Sequence, residues 1–216
     1  MDTRLAATLV DEPAPVSDAG AARVRAAVAA LARGEMVALS DGRETALVLA
    51  GSRIGGPALA RMIYAGSGMV FAATSRNRLR EMRIPQMAGD RTDHPYHVAI
   101  DAAEGIGTGI SALDRARAIR LLATPGTTAA EFRRPGHVIP VAADLSPRRY
   151  PGLAELALAL VELTGDPVPV AAYSALVSET APSAVAGPAE GAAMAAGRRL
   201  AFVRREDVLA AIYRGA

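Results

Sequence analysis

Apolar runs short enough for buried strands alternate with helical patterns along almost the whole chain. Residues 45–50 form one such run, and residues 112–122 carry apolar side chains at helical spacing. This alternation is typical of an α/β domain in which helices cover a mixed sheet. We therefore predict a single α/β domain over residues 17–216, preceded by a flexible arm at residues 1–16. The predicted strands are 36–40, 45–50, 69–74, 96–101, 138–142, 168–172 and 200–203. The predicted helices are 18–33, 57–64, 76–82, 112–122, 152–164, 188–197 and 206–213.

The composition excludes several classes of function. The chain has no Cys, so disulfides, thiolate nucleophiles and zinc sites with Cys ligands are excluded. Its formal net charge is +2, and charges of both signs are interspersed without a basic stripe, so we expect no nucleic-acid partner. Residues 1–16 lack the apolar core of a signal peptide, and the apolar run 153–163 is too short to span a membrane. These features predict a soluble cytoplasmic protein with no membrane partner.

Two motifs carry most of the functional information. The first is Ile-Asp-Ala-Ala-Glu-Gly-Ile-Gly-Thr-Gly-Ile-Ser-Ala-Leu-Asp-Arg at residues 100–115, and the second is Phe-Arg-Arg-Pro-Gly-His-Val-Ile-Pro at residues 132–140. Together they closely resemble the signature of the 3,4-dihydroxy-2-butanone 4-phosphate synthase family. That family makes a four-carbon ketone phosphate from ribulose 5-phosphate in the riboflavin pathway. The resemblance covers residues 21–213 and implies the family's fold and a homodimer with its active site where two subunits meet.

The polar loop after the first predicted strand has fewer acidic residues than the corresponding loop of the family. The family has Arg-Glu-Asn-Glu-Gly-Asp there, and its first Glu binds a catalytic magnesium while later acids handle protons. Arg43 and Glu44 match the Arg-Glu pair, but apolar residues follow. His137 ends the intact Arg-Pro-Gly-His motif, whose His is needed for catalysis in the family. The resemblance therefore implies catalytic roles for Arg43, Glu44 and His137.

A third family motif, Arg-Gly-Gly-His-Thr-Glu-Ala, is almost lost. Tyr150 stands at the position of its phosphate-binding Arg, with Arg149 one position away, and Leu153 stands at the position of its metal-binding His. The family's late catalytic Glu falls at about Tyr173. Because a single carboxylate such as Glu44 binds magnesium weakly against water, we predict a site without a metal and without any cofactor.

These substitutions replace charged and polar groups by less polar ones. They predict a repurposed, metal-independent enzyme, a cyclase, isomerase or lyase, acting on a less polar small molecule in specialised natural-product biosynthesis. Tyr173 joins Arg43, Glu44 and His137 as a predicted catalytic residue. The predicted substrate-binding residues are Asp41, Ser67, Thr108, Arg134, Arg149, Tyr150, Leu153 and Glu155.

Two other functions remain open from the sequence. The first alternative is a genuine synthase that acts on ribulose 5-phosphate with magnesium. The second is a non-catalytic family member that binds a small ligand or an active homologue. Local alternatives also remain. Thr108 and Ser111 fit an anion site or an ordinary helix cap, and Glu155 fits a helix-terminal carboxylate as well as a ligand contact. His94 and His97 have no third metal ligand at a suitable spacing.

Overall fold

A computed structural model describes residues 18–89, 95–144 and 150–213. The strands are β1 (Val37–Ser40), β2 (Thr45–Ala50), β3 (Phe71–Thr74), β4 (Ile100–Ala102), β5 (Phe132–Ala142), β6 (Ala171–Ala175) and β7 (Phe202–Arg204). They form one mixed sheet in the order β4-β5-β3-β6-β2-β1-β7. Strand β3 is parallel to β5 and antiparallel to β6, and β2 is antiparallel to β6 and β1. Strands β2, β3 and β5 therefore run in one direction and begin at the same edge of the sheet.

Helices cover both faces of the sheet. They are α1 (Asp18–Ala32), α2 (Gly56–Ala65), α3 (Arg76–Glu81), α4 (Ala112–Leu122), α5 (Leu153–Glu162), α6 (Pro188–Gly197) and α7 (Arg205–Tyr213). Apolar side chains of α1, α5 and α7 form one core, and those of α2, α3, α4 and α6 form the other. Strand β2 serves both cores, because Leu47 and Leu49 point to one face while Ala46 and Val48 point to the other.

The predicted fold class is confirmed, and three predicted strands are placed wrongly. Strand β5 is much longer than the predicted 138–142, because Pro135 and Gly136 indicated a loop but lie inside the strand. The β4–β5 ladder is irregular between Ile100 and Asp101, which gives the proline a place in an edge pair. The predicted strand 96–101 pairs continuously only from Ile100, and Tyr96 makes an isolated bridge to Val141. The predicted strand 168–172 is displaced to β6.

Within residues 18–89, 95–144 and 150–213, no helix is both long enough and apolar enough to cross a bilayer. The predicted arm at residues 1–16, His94 and Arg149 lie outside the described residues. His97 is buried, and its Nδ1 lies 2.9 Å from the carbonyl oxygen of Pro95. It is therefore a packed residue beside the sheet.

Candidate functional site

A cavity of about 380 Å³ opens at the edge where β2 and β3 begin. The turn between β1 and β2, the middle of the sheet and the first turn of α5 form its walls. This volume is in the range of small-molecule sites. The lining residues are Glu44, Phe71, Pro95, Tyr96, Val141, Tyr150, Gly152, Leu153, Ala154, Glu155, Tyr173 and Ala175.

Three aromatic rings form one wall of this cavity. The rings of Phe71 and Tyr173 stack with centroids 5.1 Å apart, and the Tyr96 ring lies 6.0 Å from Phe71. Burial raises the pKa of the Tyr173 hydroxyl, and the charges of nearby groups, including Glu155 and Glu44, raise it further. The Tyr173 hydroxyl therefore keeps its proton at physiological pH. It suits hydrogen-bond donation to a ligand better than proton abstraction.

Glu44 brings a carboxylate to the cavity from the β1–β2 turn. Burial raises the pKa of Glu44, and the neighbouring charge of Asp41 adds to the increase. The Asp41 carboxylate itself holds the turn, because its Oδ1 accepts the backbone amides of Arg43 at 2.8 Å and Glu44 at 3.0 Å. Asp41 therefore shapes the turn that presents Glu44, which is a different task from the predicted contact with substrate.

Tyr150 closes the cavity beside the same turn. Its hydroxyl donates to the carbonyl oxygen of Asp41 at 3.1 Å. Two guanidinium groups lie over its ring. The Cζ atom of Arg205 is 3.4 Å from the ring centroid, and that of Arg43 is 5.4 Å away. The resemblance did not mark Arg205, because it lies in the first turn of the last helix, far from every family motif.

His137 belongs to a second cluster, at the start of β5. Its Nδ1 lies 2.7 Å from Oδ2 of Asp101, and its backbone amide donates to Oδ1 of the same carboxylate at 3.0 Å. The Asp101 side chain is 9% exposed and the His137 side chain 37% exposed. An ionised carboxylate accepts the Nδ1 proton, so the exposed Nε2 of neutral His137 carries the lone pair. The sequence reasoning missed Asp101, although it stands second in the first quoted motif.

The loop before α4 encloses this Asp–His pair. Gly109 has φ +90°, and a β-carbon there would collide with the Asp101 carboxylate and lie 2.8 Å from Nδ1 of His137. Asp114 braces the loop by accepting the amides of Gly107 at 3.2 Å and Gly109 at 3.1 Å. Ser111 accepts the amide of Asp114, as predicted for a helix cap. Loop amides that an anion would need are thus already bonded within the protein.

Arg115, in the first turn of α4, lies near the Asp101–His137 pair. It is buried, and one terminal nitrogen donates to the carbonyl oxygen of Gly68 at 3.4 Å. Burial lowers the pKa of Arg115, and the charge of Asp101 opposes that effect. Arg115 therefore places a positive charge beside the carboxylate that holds His137.

The structure brings five of the predicted site residues to one cavity: Glu44, Tyr150, Leu153, Glu155 and Tyr173. His137 is not among the described residues that line it. The cavity reaches Val141 of β5, but Glu44 enters it just before β2, which lies three strand spacings, or roughly 14 Å, from β5. One subunit therefore does not place His137 against Glu44.

Three further predicted residues lie elsewhere. Ser67 pairs with Ser174, Oγ to Oγ at 3.3 Å, and Thr108 is exposed in the loop before α4. Arg134 donates to the backbone carbonyls of Met82, Ala129 and Phe132. These contacts favour a bracing role for Arg134, and the substrate contacts predicted for all three residues stay predictions.

The resemblance implies magnesium held by Glu44 and by a histidine where this chain has Leu153. Leu153 forms the cavity wall and offers no donor atom, and Glu155 already accepts the amide of Gly152 at 3.1 Å. In the part of the chain that the structure describes, no three His, Cys, Asp or Glu side chains are grouped so that they could hold a metal ion. The residues present do not fit a preformed magnesium site, and we assign no step to a metal.

Comparisons with known proteins agree with the resemblance. A sequence model of the 3,4-dihydroxy-2-butanone 4-phosphate synthase family matches residues 25–211. A protein of that name from Chromobacterium violaceum is 38% identical over 151 residues, which are 66% of this chain and 72% of the relative. The riboflavin biosynthesis protein RibBA of Chlamydia trachomatis is 34% identical over 156 residues, 68% of this chain. The match spans only 37% of that relative's length.

Solved structures show the same kinship. A crystal structure of 3,4-dihydroxy-2-butanone 4-phosphate synthase in complex with two magnesium ions has a TM-score of 0.78 and 30% identity, covering 88% of this chain and 96% of the other. One relative is named as 3,4-dihydroxy-2-butanone 4-phosphate synthase and the other as a riboflavin biosynthesis protein, and this contradicts our prediction of a repurposed enzyme of specialised biosynthesis. That prediction rested on polarity lost at a few positions, while the matches extend over most of the domain. The chain belongs to the 3,4-dihydroxy-2-butanone 4-phosphate synthase family.

Proposed function

We propose that this chain catalyses the family reaction, which converts ribulose 5-phosphate into 3,4-dihydroxy-2-butanone 4-phosphate and formate. The observation that carries the proposal is the Asp101–His137 pair. The two best-kept stretches of the family signature meet there, and a single carboxylate holds one histidine by its backbone amide and by its ring nitrogen Nδ1. A function unrelated to the family gives no reason for this arrangement to survive whole.

The pair suits proton transfer next to a carbonyl group. Asp101 holds His137 with its Nδ1 proton directed at the carboxylate, so that Nε2 accepts a proton from substrate carbon or oxygen. The imidazolium that forms is stabilised by the same carboxylate. Returning that proton at a different substrate atom is the step that an enediol rearrangement requires.

The cavity suits the polar body of a sugar phosphate. The carboxylates of Glu44 and Glu155 accept hydrogen bonds from hydroxyl groups, and the protonated hydroxyl of Tyr173 donates one. Because the aromatic wall excludes water on one side, each of these few polar contacts acts strongly on a bound molecule. We further propose that two subunits form a symmetric homodimer in which His137 of one subunit faces the Glu44 cavity of the other.

The test is a direct assay of the purified protein with ribulose 5-phosphate across a magnesium titration. Formate release, measured with a coupled dehydrogenase, and the four-carbon product, measured by mass spectrometry, are expected together in equal amounts. His137→Ala is the matched inactive control, with turnover lower by ~10²-fold or more. A wild-type protein that releases no formate at any magnesium concentration contradicts the proposal and favours the non-catalytic alternative.

A further inference from the structure

The negative charge of the cavity lining opposes the binding of a sugar phosphate. Its charged lining residues are two carboxylates, Glu44 and Glu155, and no described lining residue is an arginine. The family's phosphate-binding arginine is replaced by Tyr150. A phosphate dianion next to two carboxylates binds poorly unless cationic donors lie at the same edge. An arginine at this edge that stands outside the family motif is therefore a candidate for the phosphate-binding cation.

Arg205 lies at that edge. Its guanidinium Cζ is 3.4 Å from the centroid of the Tyr150 ring, and the Tyr150 ring lines the cavity. Stacking on an aromatic face fixes the plane of a guanidinium and leaves its edge donors free for a planar or tetrahedral anion. Tyr150, which the resemblance places at the position of the family's arginine, thus provides the surface on which the Arg205 guanidinium lies.

The neighbours of Arg205 are already paired, and Arg205 is not. Asp207 accepts two bonds from Arg23, at 2.7 Å and 2.6 Å, and Glu206 lies 3.8 Å from Arg204. Within the described residues, Arg205 has no carboxylate partner, and its Nε is buried without a hydrogen-bond acceptor. The Nε is covered, so the terminal nitrogens of Arg205, which are not buried in this way, are the donors that an anion at the cavity edge would meet.

A second cation is available beside the first. The Arg43 guanidinium is exposed and lies 5.4 Å from the same ring, so two guanidinium groups approach one tyrosine at the cavity edge. The carboxylates that face this edge have other partners or positions. Asp41 is bonded to the turn amides, Glu155 accepts the Gly152 amide, and Glu44 lies within the cavity.

We infer that Arg205, stacked on Tyr150 and assisted by Arg43, is the phosphate-binding residue of this chain. The inference rests on the proposed function for the identity of the ligand, but phosphate binding itself is measurable without turnover. Arginine is well matched to a phosphate, because its fork forms two parallel charge-assisted hydrogen bonds. The hydroxyl end of the substrate then points toward Glu44 and Tyr173.

The experiment compares Arg205→Met with Arg204→Met. Both changes remove one positive charge from adjacent residues, but Arg204 has an exposed side chain beside Glu206. Isothermal titration with inorganic phosphate, and the KM for ribulose 5-phosphate, are the two readouts. We expect Arg205→Met to weaken phosphate binding and raise KM by ~10-fold or more, with wild-type values for Arg204→Met. Arg205→Lys, which keeps the charge without the fork, is expected to restore part of the loss.

The outcomes separate the inference from the proposed function. Wild-type turnover with an unchanged KM in Arg205→Met overturns the inference and leaves the function intact. Phosphate binding that depends on Arg205 in a protein without turnover supports the anion site and overturns the function. Phosphate that does not bind to the wild-type protein overturns the inference. If Arg205→Met fails to fold, as judged by its thermal transition, phosphate binding and KM are measured on Arg205→Lys instead, and the same outcomes support or overturn the inference.

Discussion

A single carboxylate fixes His137 from two directions. Oδ1 of Asp101 accepts the backbone amide of His137 and Oδ2 lies 2.7 Å from the ring nitrogen Nδ1, so both the strand and the imidazole are held by one side chain. The register of the β4–β5 ladder shifts at this point, between Ile100 and Asp101. The irregular edge of the sheet is therefore part of the site.

We predict that Asp101→Asn lowers kcat by ~10²-fold or more while changing KM little. An asparagine keeps the shape of the side chain, but its amide group neither stabilises an imidazolium nor fixes the Nδ1 proton on the ring. Steady-state kinetics with ribulose 5-phosphate measure the effect. The double variant with His137→Ala is expected to be no slower than His137→Ala alone, since the two residues act as one unit. Fully additive losses would contradict that coupling.

Gly109 offers a way to disturb the pair without touching either of its members. Gly109→Ala places a β-carbon against the Asp101 carboxylate, whereas the control Gly126→Ala meets nothing within 4 Å. Both glycines have positive φ, +90° and +79°, so both variants carry left-handed strain of ~1–2 kcal/mol. We predict that only Gly109→Ala also loses ~10²-fold in kcat, because a small displacement of a catalytic group is that costly. Equal kinetics in the two variants would show that the pair tolerates displacement.

The sequence predicted the fold well where apolar patterns were regular. Residues 45–50 alternate between the two cores as a central strand must, and the helix at 112–122 has both its cap and its apolar face in the sequence. Strand β5 was underestimated because Pro135 is a strong local signal for a loop. Its place in the sheet depends on pairing with β4, which no local pattern contains.

The candidate site was predicted only in part, again because local sequence patterns do not contain contacts between distant elements. Glu44, Tyr150 and Tyr173 were named by their positions in the family motifs, and they do meet in one cavity. Asp101 was missed because its motif was valued for its glycines and hydroxyls. The contact of Arg205 with Tyr150 joins two elements that are distant in sequence, and an arginine at a helix start carries no signal of its own.

Glu44 is expected to make stability depend on pH. Burial raises the pKa of Glu44, so the folded protein disfavours the ionised form that the unfolded chain adopts freely. The stability linked to a neutral Glu44 is therefore fully present below the ordinary carboxyl pKa of about 4.3 and is lost as pH rises through the raised value. We predict that Glu44→Gln raises Tm on the order of 1–3 °C at neutral pH and not in acid, while activity falls.

Thermal unfolding across a pH series measures this effect. Glu104→Gln, the same change at an exposed residue of the loop before α4, is the control and is expected to leave the pH profile of Tm unaltered. A Tm of Glu44→Gln that equals wild type at every pH would mean that ionised Glu44 is stabilised as well in the cavity as in water.

The separation of His137 from the Glu44 cavity leads to a mixing experiment. Glu44 precedes β2 and His137 lies on β5, three strand spacings away in one subunit, so we expect one working site to take Glu44 from one subunit and His137 from its partner. Glu44→Gln and His137→Ala are then both inactive alone. When the two are unfolded together and refolded, half of the dimers are mixed, and each mixed dimer contains one intact and one doubly defective site. About one quarter of the sites, and of the wild-type activity, should return.

Light scattering on the same samples must show a dimer. Arg205→Met mixed with Glu44→Gln is the control, because both residues serve the cavity of one subunit and mixing them restores an intact cavity in neither. If the Glu44→Gln and His137→Ala mixture stays inactive while refolded wild type is active, the site lies within one subunit.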